Sequence, residues 1–257
     1  MPDERRFLPF DAPARRRARD RAARLIAGRG ELLAHIRAEL DARADLLGPA
    51  PPGAHLVIGL LHPPPPGTLR LDPSPLLAER HGGIAAEEDG LPAGLPPLAQ
   101  ITAFMTLHGV NDLPGALLLA RRALIPGGRF QAVFPAGVSL LAVRAAFLAA
   151  DEAAGRGVTP RVGPTVDPAQ GAALLQRAGF ADPVAEVETL TLRYRSLADL
   201  ARDARAHGDT GWLTARARHL TTPRRWAAAE AAFARGAGPD GRVPVEVQLL
   251  YLSGKAP

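Results

Sequence analysis

The side chains narrow the possible chemistry at once. There is no cysteine, so thiolate nucleophiles, disulfides and cysteine-ligated zinc or iron–sulfur sites are excluded. The seven histidines, at 35, 55, 62, 81, 108, 207 and 219, show no metal-ligand spacing. His55 and His62 are the two that Asp72 could join near one strand end, and no metal is expected there. No G-x-S-x-G, H-E-x-x-H or phosphate-cradling G-x-x-x-x-G-K motif occurs. The remaining candidates are Asp72 in Asp72-Pro-Ser-Pro75, the acidic run Glu87-Glu88-Asp89, His108, and the arginines 15, 16, 17, 19, 21 and 24. An arginine run of this kind suits an acidic protein, an anionic lipid or nucleic acid. With Asp20 interspersed, it also fits a solvated helix face. No aromatics are interleaved with it, which weakens the case for single-strand nucleic acid.

The basic excess is local. The net charge is +5, and residues 1–43 hold 11 arginines against 7 acids. Lys255 is the only lysine among the 31 basic residues, a usage that resembles GC-rich coding bias. Over 257 residues, 47% are apolar and 22% charged, as in a globular protein of one large or two small domains. Gly and Pro number 26 each without a triplet period, which excludes collagen. No apolar run reaches the roughly 20 residues of a membrane span. The segment MPDERRFLPFDAPARRR is not a secretory signal, having acids and no apolar stretch. A soluble, cytoplasmic protein is the expectation.

The elements that must position these groups alternate between helix and strand. Residues 14–46 read as one or two helices, with Leu25, Ile26, Leu32, Leu33, Ile36 and Leu40 at helical spacing. Strands are expected at 55–61, 69–71, 83–86, 100–105, 129–134, 184–194 and 243–252. Asn111 or Asp112 caps a helix that runs to about Leu124. Further helices are expected at about 138–154, 168–178 and across 197–235. Short strands alternating with helices predict a mostly parallel sheet covered on both faces.

Several stretches resemble a known family in the right order. They are Leu107-His-Gly-Val-Asn-Asp-Leu-Pro, Arg122-Ala-Leu-Ile-Pro-Gly-Gly-Arg-Phe130, Leu174-Leu-Gln-Arg-Ala-Gly-Phe180 and the C-terminal Tyr251-Leu-Ser-Gly-Lys. Phe10-Asp11 and Arg19-Asp-Arg-Ala-Ala23 fit as well. The set resembles class I S-adenosylmethionine (SAM) methyltransferases. Within them it resembles bacterial relatives of the mitochondrial complex I assembly methyltransferase-like factor and of the malonyl-carrier-protein O-methyltransferases. The resemblance implies a Rossmann-like α/β fold with a seven-stranded, mostly parallel sheet, helices on both faces and an antiparallel last strand. It also implies cofactor binding at the carboxyl ends of the first strands. Carried over residue by residue, it implies a cofactor site at Gly59, Asp72, Ser74, Glu87, Leu107 and His108. Asp72 would bind the ribose, since a carboxylate accepts two hydroxyl hydrogen bonds. Glu87 would stand near the adenine.

The departures from the family pattern matter as much. Its glycine-rich loop after the first strand is replaced by Gly59-Leu-Leu-His-Pro-Pro-Pro-Pro-Gly67. Prolines donate no N–H, so this loop cannot make an amide cradle. Only a few residues separate Leu61 from the next strand, whereas a parallel crossover normally takes a dozen or more. Eight extended polyproline residues reach roughly 25 Å, enough to run back along a short strand. A polyproline return is therefore expected in place of a helix. The acidic residue usual at the start of the fourth strand aligns with Ala99, and the aromatic after His108 is Gly109.

The expected organisation is a basic helical arm at 1–50 and a methyltransferase-like domain at 51–257, with helical insertions at about 138–178 and 197–235. Two functions stay open. One is a protein-binding or assembly factor of the complex I kind, with a degenerate cofactor loop and weak or lost SAM binding. The other is an active SAM-dependent enzyme with a remodelled loop. The first implies a protein partner, reached through Arg15, Arg16 and Arg17. A homo- or hetero-dimer is compatible with either, and nucleic acid is disfavoured. No catalytic residue is assigned.

Overall fold

The computed structural model describes residues 8–28, 30–155, 157–217 and 220–257. His219 and the first seven residues of the expected basic arm lie outside them. The described residues build one seven-stranded sheet. Its strands are β1 (Ala54–Ile58), β2 (Leu69–Asp72), β3 (Ile84–Ala85), β4 (Leu98–Phe104), β5 (Leu124–Ala136), β6 (Ala181–Tyr194) and β7 (Val243–Lys255). The order across the sheet is β3-β2-β1-β4-β5-β7-β6. The first five strands are parallel, and β7 runs antiparallel to both β5 and β6.

The helices are α1 (Ala12–Leu25), α2 (Glu31–Leu46), α3 (Pro75–Arg80), α4 (Leu113–Ala123), α5 (Leu141–Ala153), α6 (Gly171–Arg177), α7 (Leu197–Ala206) and α8 (Pro223–Ala234). The continuous apolar run of β1 follows from its central place. Leu56 and Ile58 pack on one face with α4 and α6, and Val57 packs on the other with α1, α2 and α3. A parallel strand buried on both faces has no reason to alternate with polar residues. A third apolar cluster joins α5, α7 and α8 to the start of β7.

Residues 59–68 connect β1 to its parallel neighbour β2 without a helix, as the four prolines predict. Asp112 is the residue that caps α4, accepting from the Gly115 N–H at 3.0 Å. Asn111 instead exchanges two 3.0 Å hydrogen bonds with the backbone of Phe10, which ties the chain before α1 to the chain before α4. The expected helical stretch 197–235 is two helices. Gly208, at φ 81°, lets the chain turn after α7, and Thr222 with Pro223 starts α8 afresh. The expected strand at 129–134 begins earlier, at Leu124. Pro126-Gly-Gly128 lies inside it, where the register against β4 shifts.

Candidate functional site

The carboxyl ends of β1, β2 and β4 converge, and α1 lies across them. One face of α1 carries Ala14, Ala18 and Ala22, and their small size lets the helix approach closely. Arg15 and Arg19 share that face and are 3% exposed each. They reach inward to carboxylates.

Asp72 ends β2 and is fully buried. Arg19 donates to it twice, Nε to Oδ1 at 2.9 Å and Nη2 to Oδ2 at 2.6 Å. The Leu60 N–H donates to Oδ2 at 2.7 Å and the Ser74 N–H to Oδ1 at 2.8 Å. Four donors fill the roughly four acceptor positions of a carboxylate. In this arrangement Asp72 has no lone pair left for a ribose diol, and the residues around it do not fit that group.

Glu88 is likewise buried. Arg15 donates Nη1 to its Oε2 at 2.9 Å and Nη2 to its Oε1 at 2.6 Å. Thr106 also bonds Glu88, and its carbonyl accepts from Arg15 at 2.6 Å. Burial alone raises the Glu88 pKa, but Arg15 and Thr106 hold it below the usual value. Burial likewise works against the charge on Arg15 and Arg19, and their carboxylate partners raise both above the ordinary guanidinium value. Glu87 is only half-buried. It accepts from Arg16 Nε at 2.6 Å and lies 3.5 Å from Arg15. Its pKa is raised, mainly by burial.

The other expected residues are spread around this cluster. Gly59 sits at φ 92°, and a β-carbon there would overlap the Phe104 carbonyl oxygen. Ser74 caps α3 by accepting from the Leu77 N–H at 3.1 Å, and its hydroxyl donates to Asp20. Leu107 is buried in the core. His108 has Nε2 2.9 Å from Asp209 and its ring 5.9 Å from that of Trp212. Burial raises the Asp209 pKa, and His108 brings it back below the ordinary value. His55 pairs with the Thr102 hydroxyl and His62 with the Pro63 carbonyl, so they do not gather with Asp72. Of the three arginines expected to meet a partner, Arg16 and Arg17 are exposed and Arg15 is internal.

Sequence reasoning missed the inward role of Arg19 and Glu88 and the acid behind His108. A signal for the arginines was present. Arg15 and Arg19 are four apart and adjoin Ala14 and Ala18, the small residues of a closely packed face. Nothing local marks Asp209, which lies 101 positions from His108.

No protein-family model matches the chain. It is 26% identical over 174 residues to the mitochondrial arginine-hydroxylase NDUFAF5 of Danio rerio, covering 68% of this chain and 54% of that protein. It is 30% identical over 167 residues to the malonyl-[acyl-carrier protein] O-methyltransferase of Xylella fastidiosa, covering 65% of this chain and 55% of that protein. The chain thus spans about half the length of the curated relatives it matches. Among solved structures, it superposes on the YcgJ protein of Bacillus subtilis with a TM-score of 0.54 at 14% identity, covering 85% of this chain and 98% of that one. A putative methyltransferase of Bacillus halodurans gives 0.52 at 9% identity, covering 86% and 99%. The sheet order and the antiparallel β7 give the chain the class I methyltransferase fold, and its sequence is similar to these relatives.

Proposed function

We propose that this protein is a methyltransferase-family scaffold that acts by binding another protein, as an assembly factor of the respiratory complex I kind, with SAM binding weak or lost. The observation that carries the reading is the saturation of Asp72. The position that would hold a ribose holds Arg19 instead, supported by two backbone N–H groups. The proline connection after β1 agrees with it, because residues 63–66 offer no N–H to a cofactor. A fold keeps its architecture when its site changes use. One relative is named for arginine hydroxylation, so the scaffold is not tied to methyl transfer.

The partner-facing side of α1 is its solvent side, where Arg16, Arg17, Arg21 and Arg24 stand. An acidic protein surface is the complement. Affinity capture from the source cells tests this, using native protein and the Arg17→Glu, Arg21→Glu double variant. The reading expects a specific partner that the reversal releases. The same captured set from both proteins counts against this surface.

A second reading, an active SAM-dependent enzyme with a remodelled loop, is favoured by Asp72 keeping its place at the end of β2. It requires α1 to leave the carboxylates.

A further inference from the structure

The two edges of the sheet are unlike. At one edge β3 is 2 residues long. At the other β6 is 14 residues long, and β7 is the only strand bonded to it among the described residues. From Val184 to Tyr194 the pairing with β7 runs without a break, so the outer side of β6 presents an unbroken row of N–H and C=O groups. Folded proteins normally blunt such an edge with proline, lysine, a bulge or a covering element, because it templates the addition of another strand. In β6 these devices stop at its start. Pro183 and the register shift around Asp182, at φ 48°, both lie before Val184.

The charges along 184–194 do not guard the edge either, because each is paired within its own chain. Glu186 lies 3.1 Å from Arg43. Glu188 accepts from the Tyr251 hydroxyl at 2.7 Å and lies 3.3 Å from His35. Arg193 donates to Asp240 at 2.6 Å. Val187, Thr189 and Thr191 alternate onto the other face from the two glutamates, and all three are exposed. Their β-branched side chains favour strand pairing and carry no charge to oppose it.

The strand is complementary to itself in one register. A two-fold axis perpendicular to the sheet keeps every side chain on its own face, so the antiparallel pairing of two copies must centre on a single residue. Centred on Thr189, the whole of 184–194 is paired. Glu186 then faces Leu192, Glu188 faces Leu190, and no like charges meet. Centred on Glu188 or Glu186, a glutamate faces its own copy, and centred on Val187, Glu186 faces Glu188. Centres beyond Thr189 pair a shorter stretch. We propose that β6 pairs antiparallel with β6 of a second copy of this chain about a two-fold axis at Thr189, making one continuous sheet across the dimer. The surface lies at the far edge of the sheet from β2 and Asp72, so the dimer stands whether or not SAM binding is lost.

Light scattering on the full chain during gel filtration, over a range of concentrations, tests the proposal. The expected mass is twice the 27.0 kDa of the chain. Thr189→Lys sets two cations opposite each other at an exposed site and is expected to weaken the dimer at least tenfold, with cooperative melting retained. The absence of cysteine allows a second readout that does not depend on that variant. Directly opposed residues of an antiparallel pair have Cα atoms about 4.5–5.5 Å apart, within disulfide reach. Thr189→Cys is therefore expected to form a covalent dimer on mild oxidation. Thr191→Cys lies on the same exposed face, but its own copy is displaced by four residues, roughly 13 Å along the strand, and is expected not to cross-link. A monomer at high micromolar concentration overturns the proposal. So does a dimer that Thr189→Lys leaves intact, or cross-linking at 191 as ready as at 189.

Discussion

The guanidinium of Arg15 passes through the space that a side chain at position 109 would occupy. A β-carbon on Gly109 would overlap Arg15 Nε and lie 2.9 Å from its Cδ. The absence of a side chain at Gly109 leaves the room that the inward Arg15 takes. Gly109→Ala is therefore expected to cost about 1–3 kcal/mol, the usual range for overpacking. In the Arg15→Ala background the same substitution is expected to cost less, and chemical denaturation of the four proteins measures the difference.

Arg19 and Asp72 are both buried, so removing one strands the other. Arg19→Ala and Asp72→Ala are each expected to destabilise by about 3–5 kcal/mol. The double variant is expected to lose less than the sum, because no charge is left unpaired. Strict additivity in the denaturation cycle contradicts the pairing.

Gly59 is constrained twice, by its φ of 92° and by the Phe104 carbonyl beside it. Gly59→Ala is expected to lower the melting temperature well beyond Gly211→Ala. Gly211 has φ 78° but open space around it, so that variant carries the backbone strain alone. Similar losses from the two would show that the close approach of β4 is unimportant.

His55 supplies the pH dependence. Burial, aided by Arg37, lowers its pKa from 6.5 to about 4. Its folded-state pKa is thus below the unfolded one, and the unfolded chain binds more protons in between. The contribution of neutral His55 is present in full above pH 6.5 and is lost as the pH falls towards 4. The native protein is expected to lose stability between pH 7 and pH 4.5, and His55→Gln less so. Parallel stability curves for the two proteins contradict this.

The central strands β1 and β4 were legible in the sequence as short apolar runs, and the long strand β6 by the spacing of its apolar residues. The missing helix after β1 was legible because Pro63–Pro66 can form nothing else. The boundaries within 197–235 were harder, since the breaks rest on Gly208 and on the Thr222-Pro223 start within an alanine- and arginine-rich stretch. The site was half legible. Asp72, Glu87 and Gly109 stood out by position, but their partners come from a helix 53 to 94 residues earlier in the chain, counting from Arg19 to Asp72 and from Arg15 to Gly109. An arginine run reads as a solvated face until the fold shows which arginines point inward. Arg15 and Arg19 do so, while Arg17, Arg21 and Arg24 do not.

The most direct test of the central claim is calorimetric titration with SAM and S-adenosylhomocysteine, run on the native protein, on Asp72→Ala and on Arg19→Ala. Cooperative melting serves as the check that each protein is folded. The native protein is expected to bind neither ligand, or only in the millimolar range, because Arg19 and two backbone N–H groups already fill Asp72. Micromolar binding that Asp72→Ala abolishes would contradict it and restore the active-enzyme reading.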